Sequence, residues 1–217
     1  MRVQDIMNRN HPSIYPDELA TKARATLRDF KLRILPVVDD RKQLLGFVSR
    51  NDVMTISSSV STVRVKGIMS AVRFAATLDM DAIRSGQEMM RLDEWYVPVV
   101  RSQRDNSYVG VLGLENIIKS LYDKKTPRLG MSLSDVMSTK GLLSCSPDDE
   151  ADDIWHMMKE RSFAACPVVT KSKPVGIVTQ QNLLESGAIL LGFESKKGRF
   201  KAPSTINAIM RTPVQSL

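Results

Sequence analysis

The feature that most constrains this chain is a repeat, because one pattern of strand-forming runs occurs three times along its 217 residues. In each copy, an apolar run that contains a proline is followed by a second β-rich run that ends at a polar helix start. The first runs are Arg33-Ile34-Leu35-Pro36-Val37-Val38-Asp39, Tyr96-Val97-Pro98-Val99-Val100 and Ala165-Cys166-Pro167-Val168-Val169. The second runs begin at Gly46, Gly110 and Gly176 and reach Asp52, Asn116 and Asn182, always after 6 residues. Each pair of runs predicts two strands that lead into a helix.

A short lead-in motif precedes each copy at a fixed distance. The three motifs are Asp5-Ile6-Met7, Gly67-Ile68-Met69 and Asp135-Val136-Met137, and the step from the motif methionine to the strand proline is 29, 29 and 30 residues. A fourth lead-in motif, Ile206-Asn207-Ala208-Ile209-Met210, lies near the end of the sequence. Landmarks that stay in register over three copies indicate an internal duplication.

The size of one copy predicts how the copies pack. The chain is 42% hydrophobic and 25% charged, a composition typical of globular proteins. One copy has only some 60 residues, and a unit of that size leaves much apolar surface exposed unless it packs against another. We therefore expect the repeats to pack on one another.

Each copy also has a helix between its lead-in motif and its strands. Ala20, Ala23, Leu27 and Phe30 form one apolar stripe, and Pro16-Asp17-Glu18 is expected to open that helix. Ser146-Pro147-Asp148-Asp149 predicts the same start in the third copy. Methionines in these stripes are expected to pack in the core. The predicted fold class is α/β (α+β), with each repeat running strand, helix, strand, strand, helix.

These motifs resemble cystathionine-β-synthase (CBS) domains. The resemblance rests on the D-I-M motif, the proline-containing strand and the turn from Ser49 to Asp52. The chain is similar to the multi-CBS regulatory proteins of archaea and bacteria, which implies that consecutive repeats pair into a pseudo-two-fold module. The implied boundaries are 1–60 for repeat 1, 61–123 for repeat 2, 124–131 for a linker, 132–188 for repeat 3 and 189–217 for a linker with the start of a fourth repeat.

The resemblance further implies clefts that bind adenosine-containing ligands. In repeat 1, Ser49 and Asp52 have the spacing of a reciprocal helix cap, which explains both residues without a ligand. The same helix N-terminus could also bind an anion while the carboxylate accepts ribose hydroxyls. Both interpretations stay open for repeat 1.

The other two copies depart from this pattern. In repeat 2, Gly113 replaces the hydroxyl residue and Asn116 the acid, so we expect neither a cap nor a charged ribose contact. Repeat 3 keeps Thr179 but has Asn182, which predicts a weaker site.

The family also contacts adenine just before the strand proline, which implies a role for Arg33-Ile34, Trp95-Tyr96 and Ala164-Ala165. Ala164 and Ala165 leave room for a ring, whereas Trp95 and Tyr96 are expected to fill that space rather than to stack on a base. Arg24, Arg33 and Arg50 are the candidate partners of a phosphate, with solvated surface as the alternative. Tyr96 and Asn116 are weaker candidates for contact with the ligand.

The formal net charge of +7 makes an anionic partner plausible. The basic residues form three groups: Lys22, Arg24, Arg28, Lys31 and Arg33; Lys124, Lys125 and Arg128; and Lys196, Lys197, Arg199 and Lys201. Nucleic-acid binding is therefore an alternative function, although solvated surface explains the same charges. A third possibility is an assembly scaffold with vestigial clefts.

The remaining expectations concern compartment and chemistry. The polar N-terminus and the lack of a long apolar run predict a cytoplasmic protein without a membrane segment. Cys145 and Cys166 have neither metal nor thioredoxin spacing, and Cys166 is expected to be a buried, inert thiol. His11 and His156 show no catalytic spacing, so we expect neither an enzyme nor a cofactor.

The sequence thus predicts a regulatory module that senses AMP, ADP, ATP or S-adenosylmethionine. It contains no effector domain, so an effector protein is the expected recipient of the signal. The third repeat lacks a full partner in the chain, which predicts either a longer four-repeat chain or self-association as a homodimer.

Overall fold

The computed structural model describes residues 1–54, 61–125, 130–188 and 205–214. The chain divides into two compact units, one of Met1–Val53 and Thr62–Gly130, the other of Met54–Ser61 and Met131–Leu217. Five of the basic residues named above lie outside the described residues: Arg128, Lys196, Lys197, Arg199 and Lys201.

The three repeats show the predicted order of strands and helices. Repeat 1 has α1 (Ala20–Asp29), β1 (Ile34–Val38), β2 (Leu44–Ser49) and α2 (Arg50–Met54). Repeat 2 has β3 (Ala76–Thr77), α3 (Ala82–Arg91), β4 (Tyr96–Val100), β5 (Tyr108–Gly113) and α4 (Leu114–Asp123). In the second unit, α5 (Leu133–Val136) precedes α6 (Ala151–Glu160), β6 (Ala165–Thr170), β7 (Lys173–Thr179) and α7 (Gln180–Ser186).

The strand pairs have the same register in each repeat. They are antiparallel, and the residue two before the strand proline pairs with the last residue before the following helix. The pairs are Ile34 with Ser49, Tyr96 with Gly113 and Ala165 with Thr179. The predicted first strand is a two-residue strand only in repeat 2, whereas in repeats 1 and 3 it is a single parallel bridge at Ile14 or Cys145.

Four lead-in segments surround the lead-in motifs, and we define them as residues 3–8, 65–70, 133–138 and 206–211. The first one packs on repeat 2, since Val3 N donates to Met80 O over 2.9 Å and Asn8 forms a bridge with Val111 in β5. The second lead-in segment packs on repeat 1, since Ser70 forms a bridge with Phe47 in β2. Repeats 1 and 2 therefore exchange their lead-in segments.

The fourth lead-in segment docks on repeat 3 in the same manner. Ile206 N donates to Asp149 O over 2.9 Å, and Arg211 forms a bridge with Ile177 in β7. Ile206 is fully buried, as are Val3 and Val65 at the same position of the first two segments. The predicted fourth motif is thus an integral part of the second unit.

The third lead-in segment differs from the other three. Ser132 caps its short helix α5. Leu133, at the position where the other segments have a fully buried residue, is 57% exposed, and Met137 is 58% exposed. The third lead-in segment therefore exposes apolar side chains that the other segments bury, and the predicted self-association of repeat 3 stays a prediction.

The turn before each first helix explains one wrong prediction. Helix α1 begins at Ala20 rather than at Pro16, and α6 begins at Ala151 rather than directly after Ser146. The carbonyls of Pro16 and Glu18 accept hydrogen bonds from the second lead-in segment, and those of Pro147 and Asp149 accept from the fourth. Because these carbonyls bind another part of the chain, the residues form a turn and the helix starts later.

The core contains the predicted methionines. Met89 on α3 and Met158 on α6 are fully buried. Met89 belongs to a cluster that includes Val3, Met7 and Leu112, so the first lead-in segment contributes to the core of repeat 2. Within the part of the chain that is described, no helix combines the length and apolar character needed to cross a bilayer.

Candidate functional site

The start of α2 brings together the hydroxyl and carboxylate that the sequence singled out. Asp52 Oδ2 accepts hydrogen bonds from Ser49 N at 2.7 Å and from Ser49 Oγ at 2.6 Å, and Asp52 N donates to Ser49 Oγ at 3.3 Å. These bonds form the reciprocal cap. Both bonds that the Asp52 carboxylate accepts from Ser49 run to the same oxygen, Oδ2.

The other oxygen of Asp52 faces a residue that the sequence did not indicate. Ser70 Oγ lies 3.5 Å from Asp52 Oδ1 and comes from the second lead-in segment, which crosses onto β2 at Phe47. We call Ser49, Asp52 and Ser70 the Asp52 site. A crossing of this kind has no local sequence signal, which is why Ser70 was missed.

The three arginines that are candidate partners of a phosphate have different environments. Arg50 is buried, and its guanidinium donates to Leu32 O at 2.8 Å and to Lys31 O at 3.0 Å. It therefore ties the start of α2 to the loop before β1. Arg33 is exposed, and its guanidinium carbon lies 5.9 Å from the centroid of the Tyr96 ring. Arg24 lies half-buried on α1, and the phosphate roles of all three stay predictions.

Repeat 2 corrects the expectation that no cap forms there. Asn116 Oδ1 accepts from Gly113 N at 2.8 Å, so half of the cap persists, although Gly113 has no hydroxyl to supply the other half. The Glu115 carboxylate folds back over Gly113 into the space that a side chain at 113 would occupy. Repeat 2 thus carries an acid at its helix start after all, but from a different position.

Glu115 lies within a group of polar side chains that sequence analysis did not connect. The Tyr96 phenol lies close enough to Glu115 and Arg33 for their charges to act on its pKa, and Glu115 is close enough to His11 to favour its protonated form. We call His11, Arg33, Tyr96 and Glu115 the Glu115 cluster. Burial, followed by the nearby Glu115 charge, raises the pKa of Tyr96, so its phenol is a hydrogen-bond donor at neutral pH.

His11 holds two parts of the first unit together. Its Nε2 donates to Ile34 O at 2.9 Å, and its own carbonyl accepts from Tyr108 Oη at 2.9 Å. The histidine is buried, and burial lowers its pKa, although the Ile34 and Glu115 interactions oppose the shift. His11 is thus a structural residue at the main chain of Ile34, where the resemblance to CBS domains implies an adenine contact.

Trp95 contradicts the expectation that both aromatics fill the adenine space. Its side chain is 65% exposed, whereas Tyr96 is half-buried and belongs to the Glu115 cluster. Only Tyr96 therefore occupies space between the repeats.

Repeat 3 forms the complete cap. Asn182 Oδ1 accepts from Thr179 N at 3.0 Å and from Thr179 Oγ1 at 2.6 Å. The strand register places Ala165 opposite Thr179, so these predicted site residues are neighbours. The Ala164 carbonyl accepts from Gln180 N at 3.1 Å. An amide can therefore hold the same cap as a carboxylate.

The remaining chemical candidates have structural roles. Cys166 is fully buried as expected, and its proximity together with burial raises the pKa of the Cys145 thiol. Two cations of the first basic group form ion pairs, Lys22 with Glu18 and Arg28 with Asp29. In the described ranges, no three acidic, histidine or cysteine side chains gather closely enough to hold a metal ion.

Comparison with known proteins identifies the family. The CBS domain model matches residues 3–59 and 133–188, which together are just over half of the chain. The chain belongs to the CBS domain family. The predicted tandem CBS repeats and their α/β fold are thereby confirmed.

Two longer proteins are similar to this chain. Protein MJ1225 from Methanocaldococcus jannaschii is 22% identical over 204 residues, or 85% of this chain and 71% of that protein. Its crystal structure superimposes with a TM-score of 0.81, covering 100% of this chain and 84% of that one at 18% identity. Homoserine O-acetyltransferase from Methanosphaera stadtmanae is 26% identical over 141 residues, which are 64% of this chain but only 27% of the enzyme.

A shorter CBS structure matches part of the chain. CBSX2, solved in complex with AMP, is 21% identical and has a TM-score of 0.51. It covers 57% of this chain, which covers 98% of CBSX2.

Proposed function

We propose that this protein is a regulatory module that binds an adenosine-containing ligand at the Asp52 site and passes the resulting change to an effector protein. Membership of the CBS family supports regulation rather than catalysis, and CBSX2, of the same fold, was solved with AMP. The proposal includes AMP, ADP, ATP and S-adenosylmethionine as ligands, energy sensing as the role of a nucleotide ligand, the cytoplasm as the compartment and a homodimer as the assembly.

The observation that carries the proposal is the geometry of the Asp52 carboxylate. Its Oδ2 is held by Ser49, whereas its Oδ1 has a long 3.5 Å approach from Ser70 Oγ. The ionised carboxylate accepts hydrogen bonds from hydroxyls, as it does from Ser49 and Ser70, and ribose hydroxyls are donors of the same kind. Hydrogen bonds to an ionised acceptor are the stronger kind.

The position of this carboxylate also explains how a ligand could transmit a signal. Asp52 lies on repeat 1, but Ser70 belongs to the lead-in segment that precedes repeat 2. A ligand that contacts both groups touches both chain segments and can favour one arrangement of the repeats. It can do so only by its difference in affinity for the two arrangements.

Calorimetric titration with AMP, ADP, ATP and S-adenosylmethionine tests the proposal. We expect Asp52→Ala to weaken binding by about 1.5–3 kcal/mol, the usual contribution of a hydrogen bond to a charged group. Asp52→Asn is the matched control for the cap, since Asn182 holds the same cap in repeat 3. It should keep the stability of the wild type and still bind less tightly.

Absence of binding by all four ligands at millimolar concentration would refute the nucleotide proposal. An unchanged dissociation constant in both Asp52 variants would place the site elsewhere. Light scattering measures the expected homodimer, and a monomer at high concentration would contradict that part of the proposal.

A further inference from the structure

The start of α4 occupies the same place in repeat 2 as the start of α2 in repeat 1. The strand register shows this equivalence, because Gly113 pairs with Tyr96 as Ser49 pairs with Ile34. A module built from two such repeats offers two equivalent positions for a ligand. The side chains that surround the second position are those of the Glu115 cluster.

The first obstacle to a ligand at the second position is a carboxylate. A helix N-terminus attracts anions because its first N–H groups lack partners within the helix. At the ten-residue helix α4, Glu115 brings its own carboxylate back over Gly113, next to that N-terminus. The anion position is thus taken by the chain, and its negative charge repels a phosphate.

The second obstacle is the imidazole of His11. An adenine amine needs a carbonyl acceptor, and Ile34 O already accepts from His11 Nε2 at 2.9 Å. The equivalent loop residue at the Asp52 site is Arg73, whose guanidinium donates to Leu92 O and to Glu94. Leu92 and Glu94 lie before Tyr96, the residue of repeat 2 that is equivalent to Ile34. His11 and Arg73 therefore bind carbonyls at different positions of the two repeats.

We propose that His11 and Glu115 close the second ligand position, so that the first unit binds one adenosine ligand, at the Asp52 site. This inference rests on the proposed function. The two side chains act on different parts of a ligand. Glu115 repels the phosphate, and His11 occupies the carbonyl that the base would need. The Arg33 guanidinium lies over the Tyr96 ring at 5.9 Å from its centroid, so repeats 1 and 2 contact each other within the Glu115 cluster.

Removing both obstacles should open the second position. We combine His11→Ala, which releases Ile34 O, with Gly113→Ser, whose side chain must displace the Glu115 carboxylate and restores the hydroxyl found at Ser49 and Thr179. Calorimetric titrations with AMP and with S-adenosylmethionine compare the numbers of sites. Any site in repeat 3 contributes equally to every variant, so differences between variants report on the first unit alone.

We expect Asp52→Ala to lose one site and the His11→Ala/Gly113→Ser variant to gain one relative to the wild type. A folded double variant, shown by an unchanged circular dichroism spectrum, that gains no site would overturn the inference. The inference would also fail if the addition of Glu115→Ala to the Asp52→Ala protein removed one more binding site, because Glu115 would then be a ligand contact. Lack of binding of both probes by the wild type would overturn the proposed function together with this inference.

A measurement on the unmodified protein gives a second test. Only His11 and His156 contribute histidine signals to its NMR spectrum. Saturating AMP should shift the Ser70 amide signal and leave the His11 ring signals in place. A shift of the His11 ring comparable to that of Ser70 would show that the ligand enters the second position.

Discussion

The docking of the second lead-in segment can be tested by adding one methyl group. A Cβ on Gly46 would lie 2.7 Å from the Ser70 carbonyl oxygen. That oxygen accepts from Phe47 N at 3.1 Å, and Ser70 N donates to Phe47 O at 2.9 Å. Gly46→Ala therefore forces the chain either to accept the close contact or to release the segment.

The response that costs less free energy determines how much stability Gly46→Ala loses. Overpacking in a well-packed core costs about 1–3 kcal/mol. Release would break the two backbone hydrogen bonds with Phe47 and those from the segment to Pro16 O and Glu18 O, at about 0.5–1.5 kcal/mol each. It would also expose Val65, which is fully buried and whose burial contributes about 1.5–3 kcal/mol. We expect a loss of about 2 kcal/mol by strain, with partial loosening of the segment.

Hydrogen exchange followed by mass spectrometry localises this effect. Peptides that cover residues 65–70 should exchange faster in Gly46→Ala, and the urea midpoint of the first unit should fall. Gly130→Ala is the matched control, because a Cβ there meets nothing within 4 Å. Exchange at 65–70 and a midpoint that both match the Gly130 control would refute the crossed docking of this segment.

Three further outcomes follow from the contacts described above. Because burial lowers the pKa of His11, the unfolded state binds that proton more tightly, so the unfolding free energy should fall as pH drops below the ordinary value of 6.5. His11→Gln should lose that part of the pH dependence in urea titrations. Ile206→Ser should destabilise the second unit by about 2–5 kcal/mol, whereas Leu133→Ser, at the equivalent but 57% exposed position, should change stability by less than about 0.5 kcal/mol in the same assay. Arg50→Leu leaves the Lys31 and Leu32 carbonyls without that donor and should cost about 1–3 kcal/mol in thermal or urea unfolding; an unchanged midpoint would contradict the role of Arg50 as a tether.

Local sequence patterns predicted the parts of this fold that depend on neighbouring residues. The strand pairs follow from the apolar runs around Pro36, Pro98 and Pro167, and the cap between Ser49 and Asp52 follows from their spacing. The pattern is weak evidence in a single copy, but its recurrence at the same spacing in three copies makes the prediction strong. These features need no knowledge of distant contacts.

The features that sequence analysis missed mostly depend on distant contacts. The late start of α1 results from hydrogen bonds between the turn at Glu18 and Val65, far along the chain. The burial of His11 depends on Ile34, which lies 23 residues along the chain. Glu115 is a partial exception, since a glycine two residues before an acid at a helix start leaves room for the acid to fold back.

The exchange of lead-in segments has a consequence for the origin of such chains. A polypeptide with a single copy could seat its lead-in segment only on a second molecule, as Asn8 now does on Val111 and Ser70 on Phe47. Duplication within one gene would turn that intermolecular exchange into an intramolecular one and remove its dependence on concentration. Each copy therefore needs the lead-in segment of another copy rather than a whole second repeat, as the fourth segment on repeat 3 shows.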